Sequence, residues 1–245
     1  MEVALITVGD ELLAGDTLNT NGNWLAEQLT ESGASVRRLI VLPDDRTTIA
    51  EHVAAYSDAF DAIIVTGGIG GTPDDVTMAA VADAFDCGLR VSETAREHVV
   101  ATIEAIERPL PELDIDLDAE ASIPAAGQPL LNEEGLAPGC VIENVYVLPG
   151  IPDELRTMFE EIRDAFEGEN MSQILYTVEP EANITDDLVA VREQFDVRVG
   201  CYPDREEGHN RLKLTATDVD TLAAATEWLR GAIDASETPV SRDWD

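Results

Sequence analysis

Asp61 to Thr77 reads DAIIVTGGIGGTPDDVT: an apolar run, four glycines within five positions, then a helix start. Gly67, Gly68, Gly70 and Gly71 let the backbone come close to a ligand and take up dihedrals closed to other residues. A helix N-terminus behind them offers unpaired N–H groups, so strand, glycine loop and helix together suit an anion pocket. Two carboxylates, Asp74 and Asp75, stand where that anion would bind. A purely structural reading of them is also good. Thr72 reads as an N-cap, Pro73 as the first helical position and Asp75 as the third, close to a capping box.

Outward from this stretch, short apolar runs alternate with amphipathic segments. Val3 to Val8, Ser35 to Leu42 and Ala62 to Thr66 read as strands, whereas residues 23–32, 47–57 and 75–85 carry the apolar spacing of helices. The largely apolar strands fit a mostly parallel sheet covered on both faces, an α/β fold of three layers. A further helix is expected over 93–107. Residues 109–122 lose periodicity and read as a loop, and Cys140–Ile142 and Val145–Leu148 flank Glu143-Asn144 as a hairpin. A helix follows from Pro152 to about Phe166. Residues 171–235 read as β-α-β-β-α, a small α+β domain, which gives domains of 1–168 and 171–235 and a disordered tail over 236–245.

The charge balance is unusual: 50 Asp plus Glu against 15 Lys plus Arg, a net of -35, with Lys213 the single lysine. Such a surface fits a salt-rich cytoplasm, where at 1 M salt the Debye length falls to roughly 3 Å and self-repulsion is screened. It argues against nucleic acid as a partner, since phosphate-backbone binding requires a basic face. Cys87, Cys140 and Cys201 are far apart and lack CxxC spacing, against a disulfide framework or a zinc site. The opening VALITV follows Met1 and Glu2 with no charged leader, and no apolar run reaches membrane-spanning length. A soluble cytoplasmic protein is expected.

In an open parallel sheet the ligand sits at the carboxyl ends of the strands. Three loops there each hold an acidic pair: Asp10-Glu11, Asp44-Asp45 and Asp74-Asp75. The chain contains eight acidic dipeptides, against roughly ten expected by chance at this composition. Only their position can therefore signal function. Phosphates beside carboxylates need bridging cations, and Mg²⁺ held by one or two carboxylates plus substrate phosphates is the usual arrangement. The alternative is a ligand with donors of its own, such as a pterin ring. No GxxxxGK[ST], no GxGxxG after the first strand and no GxSxG occur, and His52, His98 and His209 are isolated. These absences remove a Walker-type NTPase, the simple dinucleotide fingerprint and Ser-His hydrolysis. Asn132, Gly135, Pro138, Gly139, Pro149 and Gly150 punctuate 132–152 densely, either as ordinary turns or as a rigid pocket wall.

GDELLAG at 9–15, Asn19 and Asn21 before WLAEQL, TGGIGGTPDDVT at 66–77, NEEGLAPG from Asn132 and LPGIPDEL at 148–155 together resemble the N-terminal region of CinA-like proteins, within the MoaB/Mog molybdopterin-binding superfamily. The resemblance spans roughly 1–165, and the segment after Ser172 resembles that family's small second domain. It implies a three-layer α/β/α domain with its pocket at the TGG loop and either molybdopterin or an adenine nucleotide as ligand. Relatives adenylylate or process molybdopterin, and CinA-type proteins are associated with metal-dependent cleavage of ADP-ribose. Three functions are thus implied: an ADP-ribose-type pyrophosphatase, a non-catalytic molybdopterin-binding protein, or an adenylyl transferase to molybdopterin. Carried over, the ligand contacts fall on Gly9, Asn19, Asn21, Thr66, Gly67, Gly68, Gly70, Thr72 and Thr77, with the 132–150 wall beside them. Catalytic roles fall on Asp10, Glu11, Asp74 and Asp75, with Asp10, Asp74 and Asp75 holding a divalent metal such as Mg²⁺, and K⁺ as a further ion. Gly71 stands where the family more often has proline. Relatives commonly self-associate, so a homo-oligomer is expected, and a chain ending at Asp245 is expected to lack the amidase domain of many bacterial relatives.

Overall fold

The computed structural model describes residues 1–105 and 115–241, in two compact units, Met1–Gly168 and Glu169–Asp245. The first begins with β1 (Glu2–Val8), α1 (Asp10–Ala14), α2 (Thr20–Glu31), β2 (Ser35–Leu42), α3 (Arg46–Ala59), β3 (Ala62–Thr66) and α4 (Thr77–Ala84). It continues with β4 (Leu89–Val91), α5 (Glu93–Ala105), α6 (Leu117–Glu120), β5 (Ser122–Pro124), β6 (Gln128–Leu130), β7 (Gly139–Ile142), β8 (Val145–Leu148) and α7 (Pro152–Ile162), whose last turn tightens to a 3₁₀ helix over Arg163–Phe166.

Its main sheet has the order β2-β1-β3-β8-β7-β6. β2, β1, β3 and β8 run parallel, and the β7–β8 hairpin adds antiparallel pairing at one end. Because β1 and β3 are apolar on both sides, each face takes its own helical layer. Ile6, Ile63 and Val65 pack with Ile49 of α3 and Val81 of α4 on one face. On the other, Leu5 and Ile64 pack with Leu25 of α2 and Phe159 of α7. The result is the three-layer α/β/α arrangement with a mostly parallel sheet.

The structure corrects several expectations about elements. α4 starts at Thr77, not Asp75, and Thr72 does not cap it: the N-cap position is Val76, with no side-chain cap. Instead Asp75 Oδ2 accepts from the Thr72 N–H at 2.9 Å and from its hydroxyl, closing a separate turn ahead of the helix. The acidic segment after β1 is the short α1. In the stretch expected to be a loop, α6 and β5 form, with Asp116 capping α6 and β5 pairing antiparallel to β4; residues 109–114 of that stretch lie outside the described residues, as do 106–107 of the helix expected over 93–107.

The second unit comprises β9 (Met171–Thr177), α8 (Glu181–Gln194), β10 (Arg198–Asp204), β11 (His209–Ala216) and α9 (Val219–Ala232). Its antiparallel sheet has the order β10-β11-β9. Leu175, Leu212 and Leu214 on one sheet face pack with Ile184 and Val191 of α8 and Leu222 and Leu229 of α9. The expected disordered tail is corrected for residues 236–241: Ser236 bridges Tyr176, and the Val240 carbonyl lies 2.7 Å from His209 Nδ1. Residues 242–245 lie outside the described residues. No described helix is long and apolar enough to cross a membrane.

Candidate functional site

The chain leaves β1 to form β2 on one side and returns to place β3 on the other, so strand order reverses beside β1. The ends of β1 and β3 therefore splay apart at Val8–Gly9 and Thr66–Gly67, where open α/β sheets take their ligands. A cleft of about 600 Å³ lies there, walled by the glycine loop, by Gly135–Ala137 and by Pro149–Ile151. Gly67 and Gly68 have φ of 99° and 65°. A Cβ on Gly67 would collide with the Val8 carbonyl oxygen, so no other residue fits.

Side chains that read as ligand contacts instead brace this loop. Thr77 Oγ1 donates to the Gly67 carbonyl at 2.8 Å and the Thr77 N–H to that of Gly68 at 2.9 Å. Thr66 Oγ1 donates to the Pro149 carbonyl at 2.6 Å, tying the loop to the opposite wall. Asn19 caps α2 through the Gly22 N–H and donates to Thr7 Oγ1, and Asn21 donates to the Gly150 carbonyl at 2.7 Å. Thr66, Asn19 and Asn21 line a smaller cavity of about 120 Å³ that shares Gly67 and Gly150 with the main cleft.

The cleft is lined by six carboxylates, Glu11, Asp44, Asp74, Asp75, Glu120 and Glu154, and among the described residues by no Lys, Arg or His. Asp44, at the end of β2, accepts the Asp10 N–H at 2.9 Å. Burial outweighs that bond and, together with the charges of Asp10, Glu11 and Asp74, pushes Asp44 above the usual carboxylate range. Burial beside Asp75 and Asp116 raises Glu120 likewise. Glu154, in the first turn of α7, lies over Gly135, which has no Cβ to obstruct it. Its Oε2 accepts from Nδ2 of Asn132 at 2.8 Å, and Asn132 is fully buried with its carbonyl 2.9 Å from His98 Nε2.

The expected residues thus divide. Gly9, Glu11, Gly67, Gly68, Gly70, Asp74, Asp75, Gly135, Pro149 and Gly150 line the cleft, whereas Asp10, Thr72, Thr77, Asn132, Pro138 and Gly139 do not. Asp10 contributes its backbone N–H to Asp44, Asn132 positions Glu154, and Gly139 sits inside β7, where a Cβ would meet the Val147 carbonyl. The sequence reading placed Asp44 in an acidic pair at the strand ends without giving it a role, and it did not single out Glu120 or Glu154. Glu154 could have been found in the LPGIPDEL run. Glu120 carries no local signal. Among the described residues no three His, Cys, Asp or Glu side chains converge on one metal position. The carboxylates line the cleft walls and suit an ion that takes its remaining ligands from phosphate oxygens and water.

Residues 169–240 match the model described as "FAD synthase, middle domain". A protein of Archaeoglobus fulgidus is 35% identical over 93% of this chain and 96% of its own length, and one of Pyrococcus furiosus is 34% identical over 94% and 96%. The crystal structure of the protein CinA of Thermoplasma acidophilum, titled as of unknown function, superposes with a TM-score of 0.61 at 29% identity, covering 68% of this chain and 99% of that one. The model described as "Probable molybdopterin binding domain" matches residues 4–167, and with that match over the unit that holds the cleft, the chain belongs to the molybdopterin-binding-domain family of the MoaB/Mog and CinA type.

Proposed function

We propose that the cleft binds a nucleotide pyrophosphate as its complex with divalent cations and hydrolyses the phosphoanhydride, an ADP-ribose-type pyrophosphatase. One observation carries this reading: a glycine-walled cleft at the switch point, sized for a dinucleotide-like ligand, has six carboxylates and no described cationic side chain. Anionic phosphates enter such a cleft only with charge-compensating ions. Asp74 and Glu11 would hold a divalent ion, which when bound neutralises the phosphoryl oxygens and lowers the pKa of water. Asp44, held above the usual carboxylate range by burial, would take the proton of an attacking water on a carboxylate oxygen. Ile69, Leu136 and Ile151 give a flat ring an apolar wall.

The test is AMP release from ADP-ribose at about 1 M KCl with Mg²⁺, Mn²⁺ or Co²⁺. Turnover should require the metal, and Asp74→Asn should lower it about a hundredfold or more, the scale of a lost electrostatic group. No turnover with any of these ions, or turnover undiminished in Asp74→Asn, contradicts the proposal.

A second reading is favoured by the family's description and by Asp44 and Glu120: a molybdopterin-binding protein without chemistry, in which those carboxylates accept from pterin N–H groups. Tight pterin binding in EDTA with no product would select it.

A further inference from the structure

The second unit's sheet has one face packed on α8 and α9; on the other, His209 is buried against Tyr176 and the Val240 carbonyl at one end, and the face is open from Arg211 toward Arg198. Strand register fixes the open face. Arg211 of β11 lies directly between Tyr202 of β10 and Tyr176 of β9, and in the next row Lys213 lies between Gly200 and Ile174. Beyond that, Arg198 opposes Thr215. Directly paired residues point to the same side, so two tyrosines and three cations share this surface.

Three features set it apart. Its centre is the chain's only lysine, in a molecule of net charge -35. Most arginines paired elsewhere sit against carboxylates, yet among the described residues Arg211 and Lys213 have no ion-pair partner. The third feature is Tyr202, 52% exposed, whose ring folds back over Gly200: a Cβ there would lie 2.6–2.9 Å from the ring's Oη, Cζ and Cε2. Glycine at that position lets the ring lie close to the sheet, half exposed, with Arg211 and Lys213 at the paired positions of the neighbouring strand. Along β11, Arg211 and Lys213 are two residues apart, roughly 6.8 Å at the strand rise, so the pair presents a line of positive charge. An aromatic platform flanked by such a line is how sequence-tolerant sites hold unpaired bases and their phosphates.

We infer that the open face of the β10-β11-β9 sheet binds a single-stranded nucleic-acid segment, one base stacking on Tyr202 and successive phosphates meeting Arg211 and Lys213. This departs from the expectation, drawn from overall charge, that nucleic acid is not a partner; that argument concerns a broad basic surface, which this chain lacks. A short single strand asks only for a ring and two or three cations. The one acidic side chain on the same strand edge, Asp204, is turned into the β10–β11 connection, where it accepts the Glu207 N–H at 3.2 Å. At about 1 M salt the repulsion from the rest of the chain is cut to a range of roughly 3 Å; the cations then act only on phosphates in direct contact, and stacking on Tyr202 carries most of the affinity.

The test is fluorescence anisotropy of a short labelled oligouridylate with the full chain at about 1 M KCl. Saturable binding is expected, weakened about tenfold or more by Tyr202→Ala and by Lys213→Glu, with melting temperatures unchanged because both side chains are at the surface. Arg192→Glu, at an exposed position of α8, makes the same change in net charge as Lys213→Glu and should leave binding intact. Equal weakening by Arg192→Glu would reduce the effect to overall charge and overturn the inference. So would absence of oligouridylate binding, competition by free AMP as effective as by the oligomer, or polyglutamate binding with the same Tyr202 and Lys213 dependence in its place.

Discussion

At the scale of single residues, the cleft depends on groups whose work is indirect. Gly67 holds φ at 99° against the Val8 carbonyl. Gly67→Ala should therefore cost about 1–3 kcal/mol in denaturant unfolding and weaken any ligand of the cleft; a variant as stable as the parent would show that the loop is not constrained. Asn132 is buried and spends its side chain on Glu154 and the Ala137 carbonyl. Asn132→Leu should cost a further 1–3 kcal/mol or so by leaving those acceptors unpaired. Asp44 and Glu120 give a pH-dependent signature. Their folded-state pKa values are raised, so the folded state binds more protons than the unfolded chain above the ordinary carboxylate range, and each costs stability that grows as pH rises through that window. Asp44→Asn and Glu120→Gln should thus raise the melting temperature most at neutral pH, the gain shrinking as pH falls toward 4. A gain that grew on acidification would reverse the assigned sign. These roles were only partly legible in the sequence. The glycines announced a close approach, but Thr66, Thr77 and Asn19, read as ligand contacts, are polar groups that a tight loop needs for its own carbonyls and caps.

At the scale of elements, the strands were legible because burial on both faces turns β1 and β3 into unbroken apolar runs. Their pairing, β1 with β2 and β3 with β8, is seen only in the structure. The start of α4 was not legible. Thr72-Pro73-Asp74-Asp75 satisfies the local rules for a helix N-terminus, yet Asp75 turns back to Thr72 and the Thr77 N–H closes on Gly68. Tertiary closure of the glycine loop outranks the capping preference, and the loop gains Asp74 and Asp75 as cleft wall. Asp44 follows β2, and Glu120 and Glu154 lie in α6 and α7; the acidic pair after β2 pointed to the strand ends, whereas nothing in the sequence brings Glu120 and Glu154 there. The helical layers carry the usual energetic weight. Phe159 of α7 is fully buried, edge-on to Trp24 at 5.5 Å and stacked on Phe166 at 5.8 Å. Phe159→Ala should cost about 3–5 kcal/mol, read as a lower denaturant midpoint with the slope retained.

At the scale of the whole molecule, charge governs behaviour. With a net of -35, the folded chain should gain stability as KCl rises from about 0.1 M to 1 M, where the screening length drops from roughly 10 Å to 3 Å. A melting temperature independent of salt over that range would mean that self-repulsion is not a significant term. The same charge, concentrated around the cleft, leads to the central claim: a phosphate-bearing ligand binds there only together with cations. Calorimetric titration of ADP-ribose into the full chain, with Mg²⁺ and then with EDTA at equal ionic strength, tests it most directly. The account predicts saturable binding in Mg²⁺ that disappears in EDTA and is lost in Asp74→Asn, whereas equal affinity in EDTA would contradict it.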